Sequence, residues 1–102
     1  MVNKNWKDSD IIGDAIGEKS FNDAAEWLNE NVPDSLKVSR QTVFNWVVKD
    51  TSPDVVYLVG YMVRYPVTDA RYVMAYEILR RRDKETMKFW MGVVKHVKEY
   101  QV

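Results

Sequence analysis

The chain has no cysteine, a single histidine, three prolines and four glycines in 102 residues, and its formal net charge is zero. Without cysteine there are no disulfides, no thiolate zinc sites and no cysteine nucleophile. An intracellular, cytoplasmic protein is the simplest expectation. The lone histidine, His96, is flanked by Lys95 and Lys98 rather than by acids at ligand or relay spacing, so neither a metal site nor a general base is expected there. Gly13, Gly17, Gly60 and Gly92 are too scattered to build a phosphate-cradling loop. Ser39 has no base near it in sequence and reads as a helix cap rather than a nucleophile. Acidic pairs such as Asp8/Asp10 and Asp14/Glu18 fall in a polar stretch where carboxylates are normally solvated. An enzyme is therefore not expected, nor is a cofactor or a metal. The longest apolar region, Val55 to Val63, is about half the length of a membrane span, and the first eight residues place no apolar run behind their charges, unlike a signal peptide.

What the chain does have is 46% hydrophobic residues with four Trp, six Tyr and three Phe, enough apolar surface to offset the ordering entropy of a folded core. Its length fits one core. The zero net charge hides an asymmetry: residues 1–35 sum to −5 and residues 36–102 to +5. A phosphate-binding protein needs a local basic patch, not a basic total. Arg40, Lys49, Arg64 and Arg71, with the run Arg80-Arg81-Arg82, are the candidates for one.

Hydrophobic spacing predicts an all-α chain of about five or six helices. Ile11, Ile12, Ala15 and Ile16 mark a helix over 10–18, weakened by Gly13 and Gly17. Ser20 caps a firmer one over 21–31, with Phe21, Ala24, Ala25 and Leu28 on one face and Trp27 at its edge. Pro33-Asp34-Ser35 breaks the chain. Over 54–65, Val55, Val56, Tyr57, Val59, Tyr61 and Val63 are strand formers, which admits a winged-helix hairpin. The absence of a tight-turn dipeptide, and a Ser52-Pro53 pair suited to starting a helix, favour a helix with apolar residues nearly all round, ended by Pro66. Thr68 or Asp69 caps a helix over 70–82 that buries Val73, Met74, Tyr76, Ile78 and Leu79 to varying degrees. Asp83 caps a last one over 84–100. That last helix carries two apolar stripes: Met87, Trp90, Met91, Val94 and Val97 form the first, and Phe89, Val93 and Tyr100 the second. One can pack on the domain and the other needs a partner. The division is thus 1–82 as the main domain and 83–102 as a candidate oligomerisation element, unless the last helix is simply wedged in a single core.

The most informative stretch is Val38-Ser39-Arg40-Gln41-Thr42-Val43-Phe44-Asn45-Trp46. Ser39 can accept a first-turn N–H and start a helix at Arg40. Val43, Trp46 and Val47 then share an inward face. Gln41, Asn45 and Lys49 repeat every four residues on the other side, beside Arg40. Arg forks onto guanine and Gln or Asn onto adenine, each such pair discriminating by roughly 1–3 kcal/mol. Solvated helix faces are usually rich in Lys and Glu, whereas this one has no acid until Asp50.

These residues, followed by Lys49-Asp50-Thr51-Ser52-Pro53-Asp54 and the apolar Leu58, resemble the lambda-repressor-like (XRE-type) helix-turn-helix family over roughly residues 20–66. The chain departs from that pattern in two ways. The linker from Asn29 to Lys37 is longer and lacks glycine, with Lys37 at the glycine position, and the glycine after the recognition helix is replaced by Asp50. The resemblance implies a divergent helix-turn-helix protein that binds double-stranded DNA sequence-specifically as a small phage or bacterial transcription regulator, a homodimer with one recognition helix per half-site. In that reading Arg40, Gln41, Phe44 and Asn45 read bases, Phe44 against a thymine methyl. Ser39, Thr42, Lys49 and Arg64 hold phosphates, and Phe89, Val93 and Tyr100 join two copies. A DNA-packaging or assembly subunit with the same motif, and a helical protein-interaction module, are the alternatives.

Overall fold

The computed structural model describes residues 4–100, so part of the stretch read against a signal peptide, residues 1–3, lies outside the described residues. Six α-helices and one short 3-10 turn build the molecule, with no strand among the described residues. The expected all-α architecture is what forms.

Helix α1, Asp8–Ile16, begins two residues earlier than the expected start at residue 10, where Asp10 accepts the Lys7 N–H at 2.8 Å and closes the first turn. It stops at Gly17, whose φ of 65° glycine adopts without steric cost. Helix α2, Phe21–Asn29, starts at Ser20, whose hydroxyl accepts the Asp23 N–H at 3.1 Å. It ends two residues short of the expected boundary, and Asn31 at φ 60° turns the chain away. After the 3-10 turn Asp34–Leu36 comes α3, Arg40–Val47.

Residues 55–64 form α4, Val55–Arg64, and not a hairpin. Its cap position is Asp54, so Ser52-Pro53 lies before the helix instead of opening it, and Pro53 is fully buried. Leu58, Tyr61 and Met62 are buried while Val56 is 52% exposed, so the helix is central but has one wet side. Helix α5, Ala70–Arg82, is capped by Asp69, which accepts the Arg71 N–H at 2.8 Å. It buries Tyr72, Met74, Ala75, Ile78 and Leu79, whereas Val73, expected inside, is 42% exposed. Helix α6, Met87–Glu99, begins after a turn over 84–86: Asp83 accepts the Glu85 N–H at 3.0 Å, and Thr86, not Asp83, takes the cap position.

All six helices contribute to the core, α6 through Val94. Ile12 of α1, Ala24 and Leu28 of α2, Val43 of α3, Leu58 and Met62 of α4, and Ala75 and Ile78 of α5 are wholly excluded from solvent. Helix α4 packs most extensively on α5 and also carries α6. The 3-10 turn seats on α4 at Gly60, where a Cβ would come within 2.8 Å of Leu36 Cδ1. A Cβ there would force the end of the Leu36 side chain to shift. The Tyr61 hydroxyl is buried with no hydrogen-bond partner among the described residues, and its burial raises the phenol far above its ordinary range.

Candidate nucleic-acid interface

Helix α3 is held from behind by Val43 and Trp46, both buried, and Trp46 meets Tyr57 of α4 edge to face at 5.9 Å. It packs on α2 and α1. Ser39 opens it as the sequence leads one to expect: its hydroxyl accepts the Thr42 N–H at 3.1 Å and lies 3.1 Å from the Thr42 hydroxyl. No acid occupies the first turn, so the partial positive charge of the helix N-terminus stays uncompensated at the end where Arg40 projects.

The outward face carries Arg40 and Gln41, both exposed, and the half-buried Asn45, while Lys49, which the four-residue spacing places on the same helix, lies exposed two residues past the end of α3. Gln41 Nε2 donates to Asn45 Oδ1 at 3.0 Å, which holds the two amides side by side with free donor and acceptor atoms remaining on each. Neither Arg40 nor Lys49 has an ionic partner among the described residues. Phe44 is half-buried and its ring packs edge-on to Phe21 of α2 at 5.5 Å, so part of its surface is committed to the helix pair. Arg64 is exposed but stands in the last turn of α4, in a wall with Pro33, Leu36, Trp90 and Val97, none of them on α3.

The two departures from the family pattern have local explanations. Lys37 has φ −73° and ψ 142°, an extended conformation open to any residue, so no glycine is needed there. The longer linker closes because Asn29, the last residue of α2, grips Val38 at both backbone atoms: Asn29 Nδ2 donates to Val38 O at 2.8 Å and Val38 N donates to Asn29 Oδ1 at 2.7 Å. The extra residues loop out between these two points, with Leu36 anchored on Gly60. Asp50 sits at φ 56°, the left-handed conformation that glycine would adopt more readily; Asp is among the few other residues that tolerate it. Thr51 N then donates to Asn45 O at 3.2 Å and completes the turn.

Comparison with protein-family models, curated proteins and solved structures gives no match.

The expected basic patch is only partly there. Arg71 is buried, 8% exposed, and belongs to the scaffold. It forks onto Asp69 (Nη2 to Oδ2 2.7 Å, Nε to Oδ1 2.9 Å), reaches Glu30 at 3.0 Å and the Trp27 carbonyl at 2.6 Å, and lies over the Tyr65 ring at 3.9 Å. Such a charge is unavailable to phosphate. The Asp69 hydrogen bonds raise its pKa further, and Asp69 in turn falls below the ordinary carboxylate value, chiefly through the side-chain hydrogen bond from Arg71. Arg80 is paired with Glu77 at 2.8 Å and Arg82 with Asp8 at 3.6 Å. Sequence reasoning had no signal for the Asn29 grip, which joins residues nine apart through a loop.

Of the residues assigned to self-association, Phe89 is 63% and Tyr100 78% exposed, and Val93 is half-buried. Phe89 stacks edge-on with Trp90 at 4.9 Å, and Tyr100 with His96 at 4.8 Å. Val94 is the one fully buried residue of α6, and Met87, Trp90 and Met91 pack partly against the core. No helix among the described residues is long and apolar enough to cross a membrane, and no cluster of His, Asp and Glu among them suits a metal ion.

Proposed function

We propose that the chain binds double-stranded DNA sequence-specifically, inserting α3 into the major groove as a small phage or bacterial transcription regulator acting in the cytoplasm. The observation that carries this reading is the outward face of α3: Arg40, Gln41 and Asn45 lie along it with no acid among them, Lys49 follows two residues past its end, and neither cation has an ionic partner among the described residues. The buried Val43 and Trp46 hold that face rigidly, and side chains on a rigid element can be aimed at base edges. Arg40, Gln41 and Asn45 read bases. The exposed edge of Phe44 contributes apolar contact, and Ser39, Thr42 and Lys49 position the backbone. Arg64, at the far end of α4, contacts phosphate only if the duplex reaches beyond α3.

Replacing Gln41 or Asn45 by alanine is expected to cost about 1–3 kcal/mol on the preferred site and much less on random DNA. Duplexes selected from a random library, titrated at several salt concentrations, make the comparison. Equal losses on both kinds of DNA would remove these two residues from base reading, and binding that ignores salt would remove DNA from the account, because counterion release makes phosphate contacts strongly salt-dependent.

Two copies suit this reading, since half-sites about one DNA turn apart call for two recognition helices. Phe89, Val93 and Tyr100 offer the apolar surface for the pairing. Changing Phe89 and Val93 together to Glu is expected to yield a folded monomer with weakened DNA binding, measured by light scattering and titration. An unchanged oligomer mass would move the interface elsewhere. Unfolding would assign Val93, the half-buried member, to the core.

A further inference from the structure

We propose that the C-terminal end of α5 carries a phosphate-binding pocket formed by Lys4, Arg80, Arg81 and Lys84, separate from the α3 face. These four residues line a cavity of about 340 Å³, and every one is a cation. Their charges are poorly neutralised. Glu77 pairs with Arg80 at 2.8 Å, but Arg81 Nη2 donates to the Lys4 backbone carbonyl, which carries no charge, and Lys4 and Lys84 have no ion pair among the described residues. Arg81 Nη1 is buried with no acceptor among the described residues, an arrangement that leaves a charged donor unsatisfied. No acid is among the residues that line the pocket; of those nearby in sequence, Asp8 pairs with Arg82 at 3.6 Å, while Asp83 accepts the Glu85 N–H at 3.0 Å.

Cations at a helix C-terminus are favoured by its partial negative charge, which accounts for a run of arginines closing α5. It does not account for Lys4 and Lys84, which come from outside the helix and converge on the same cavity. Like charges gathered at this density raise one another's free energy unless an anion joins them, and Arg and Lys together are the side chains that hold phosphate. The pocket is also linked to the end of α3. Arg82 meets Asp8, and Asp8 accepts the Ser52 hydroxyl at 2.7 Å just beyond Lys49. A phosphate of a bound duplex is thus one source of the anion, an assignment that rests on the DNA reading; a free phosphorylated small molecule is the other.

Pyrophosphate is the probe. The full chain is titrated with it at low ionic strength, followed by calorimetry and by the arginine side-chain resonances, alongside Arg81→Gln, Lys84→Gln and Lys95→Gln. Lys84 and Lys95 are both exposed, so these two variants keep the fold if Arg81→Gln does not. Saturable binding that weakens about tenfold or more in Lys84→Gln but not in Lys95→Gln is the expected result. No binding, or equal weakening in both lysine variants, overturns the pocket. A second arm separates the sources. If the anion is a duplex phosphate, Lys84→Gln flattens the salt dependence of DNA binding by about one unit of slope while pyrophosphate competes with the duplex. If pyrophosphate binds without competing, the ligand is a free phosphorylated molecule. A chain that binds no duplex yet still binds pyrophosphate through Lys84 would sink the DNA reading and leave the pocket standing.

Discussion

Arg71→Ala is expected to destabilise the fold by about 3–5 kcal/mol in urea titrations, because it leaves a partly buried carboxylate and a helix-end carbonyl without their cation. The arginine joins the start of α5 to the end of α2 through Asp69, Glu30 and the Trp27 carbonyl. Tyr65 reinforces the same junction, its hydroxyl donating to the Leu28 carbonyl at 3.1 Å and to that of Glu30. Arg71→Met retains packing along the Tyr65 and Trp27 rings and isolates the loss of charge. The acid branch of the stability curve offers a second readout. Asp69 has its folded pKa below the ordinary value, so its contribution is fully present above the unfolded pKa and is lost as pH falls through the folded one. Stability of the native chain should therefore decline below roughly pH 4, and Arg71→Met should flatten that decline. An unchanged acid slope in the variant would mean that the Asp69–Arg71 pair contributes nothing to folding.

Trp46→Ala is expected to lose about 3–5 kcal/mol through the cavity left behind. The indole is 4% exposed and meets Tyr57 of α4, so its removal loosens α3 from the helix that follows it. DNA binding should fall in step with stability and recover when temperature is lowered enough to refold the variant. Unchanged melting with lost binding would instead place the indole against the ligand.

How much of this was legible in the sequence depends on the range of the forces involved. The caps at Ser20, Ser39 and Asp69 are contacts over two or three residues, and spacing alone predicts them. The inward faces of α2 and α3 follow equally from local periodicity. Helix α4 was legible in kind but not in its start. Proline at position 53 suits a first helical turn, yet Pro53 is buried in the core and Asp54 takes the cap, a choice made by tertiary packing. Val73 was misplaced because α5 offers apolar residues on more sides than its neighbours cover, and the structure buries Tyr72 and Ala75 instead. The site itself divides along the same line. Arg40, Gln41 and Asn45 are brought together by the helix itself, whereas Lys49, expected on the same face, follows two residues past its end. Whether a cation elsewhere is free was not legible: Arg71 and Arg64 look alike in sequence, and only the fold brings Asp69, Glu30 and Trp27 around the first.

The seating of α6 has a consequence for how the molecule comes apart. Helices α1, α2, α3 and α5 close on one another and on α4, while α6 rests chiefly on α4, with Val94 as its buried anchor and Lys98 donating to the Tyr65 carbonyl at 3.0 Å. Such an element is released at a lower free energy than the whole molecule unfolds. It behaves as a detachable latch: lifting it uncovers one side of α4 and leaves the Val43 and Trp46 anchors of α3 in place. Were two copies joined through α6 as proposed, events at this helix would reach the α3 face by altering how many copies are held together, through effective concentration, rather than by reshaping the face.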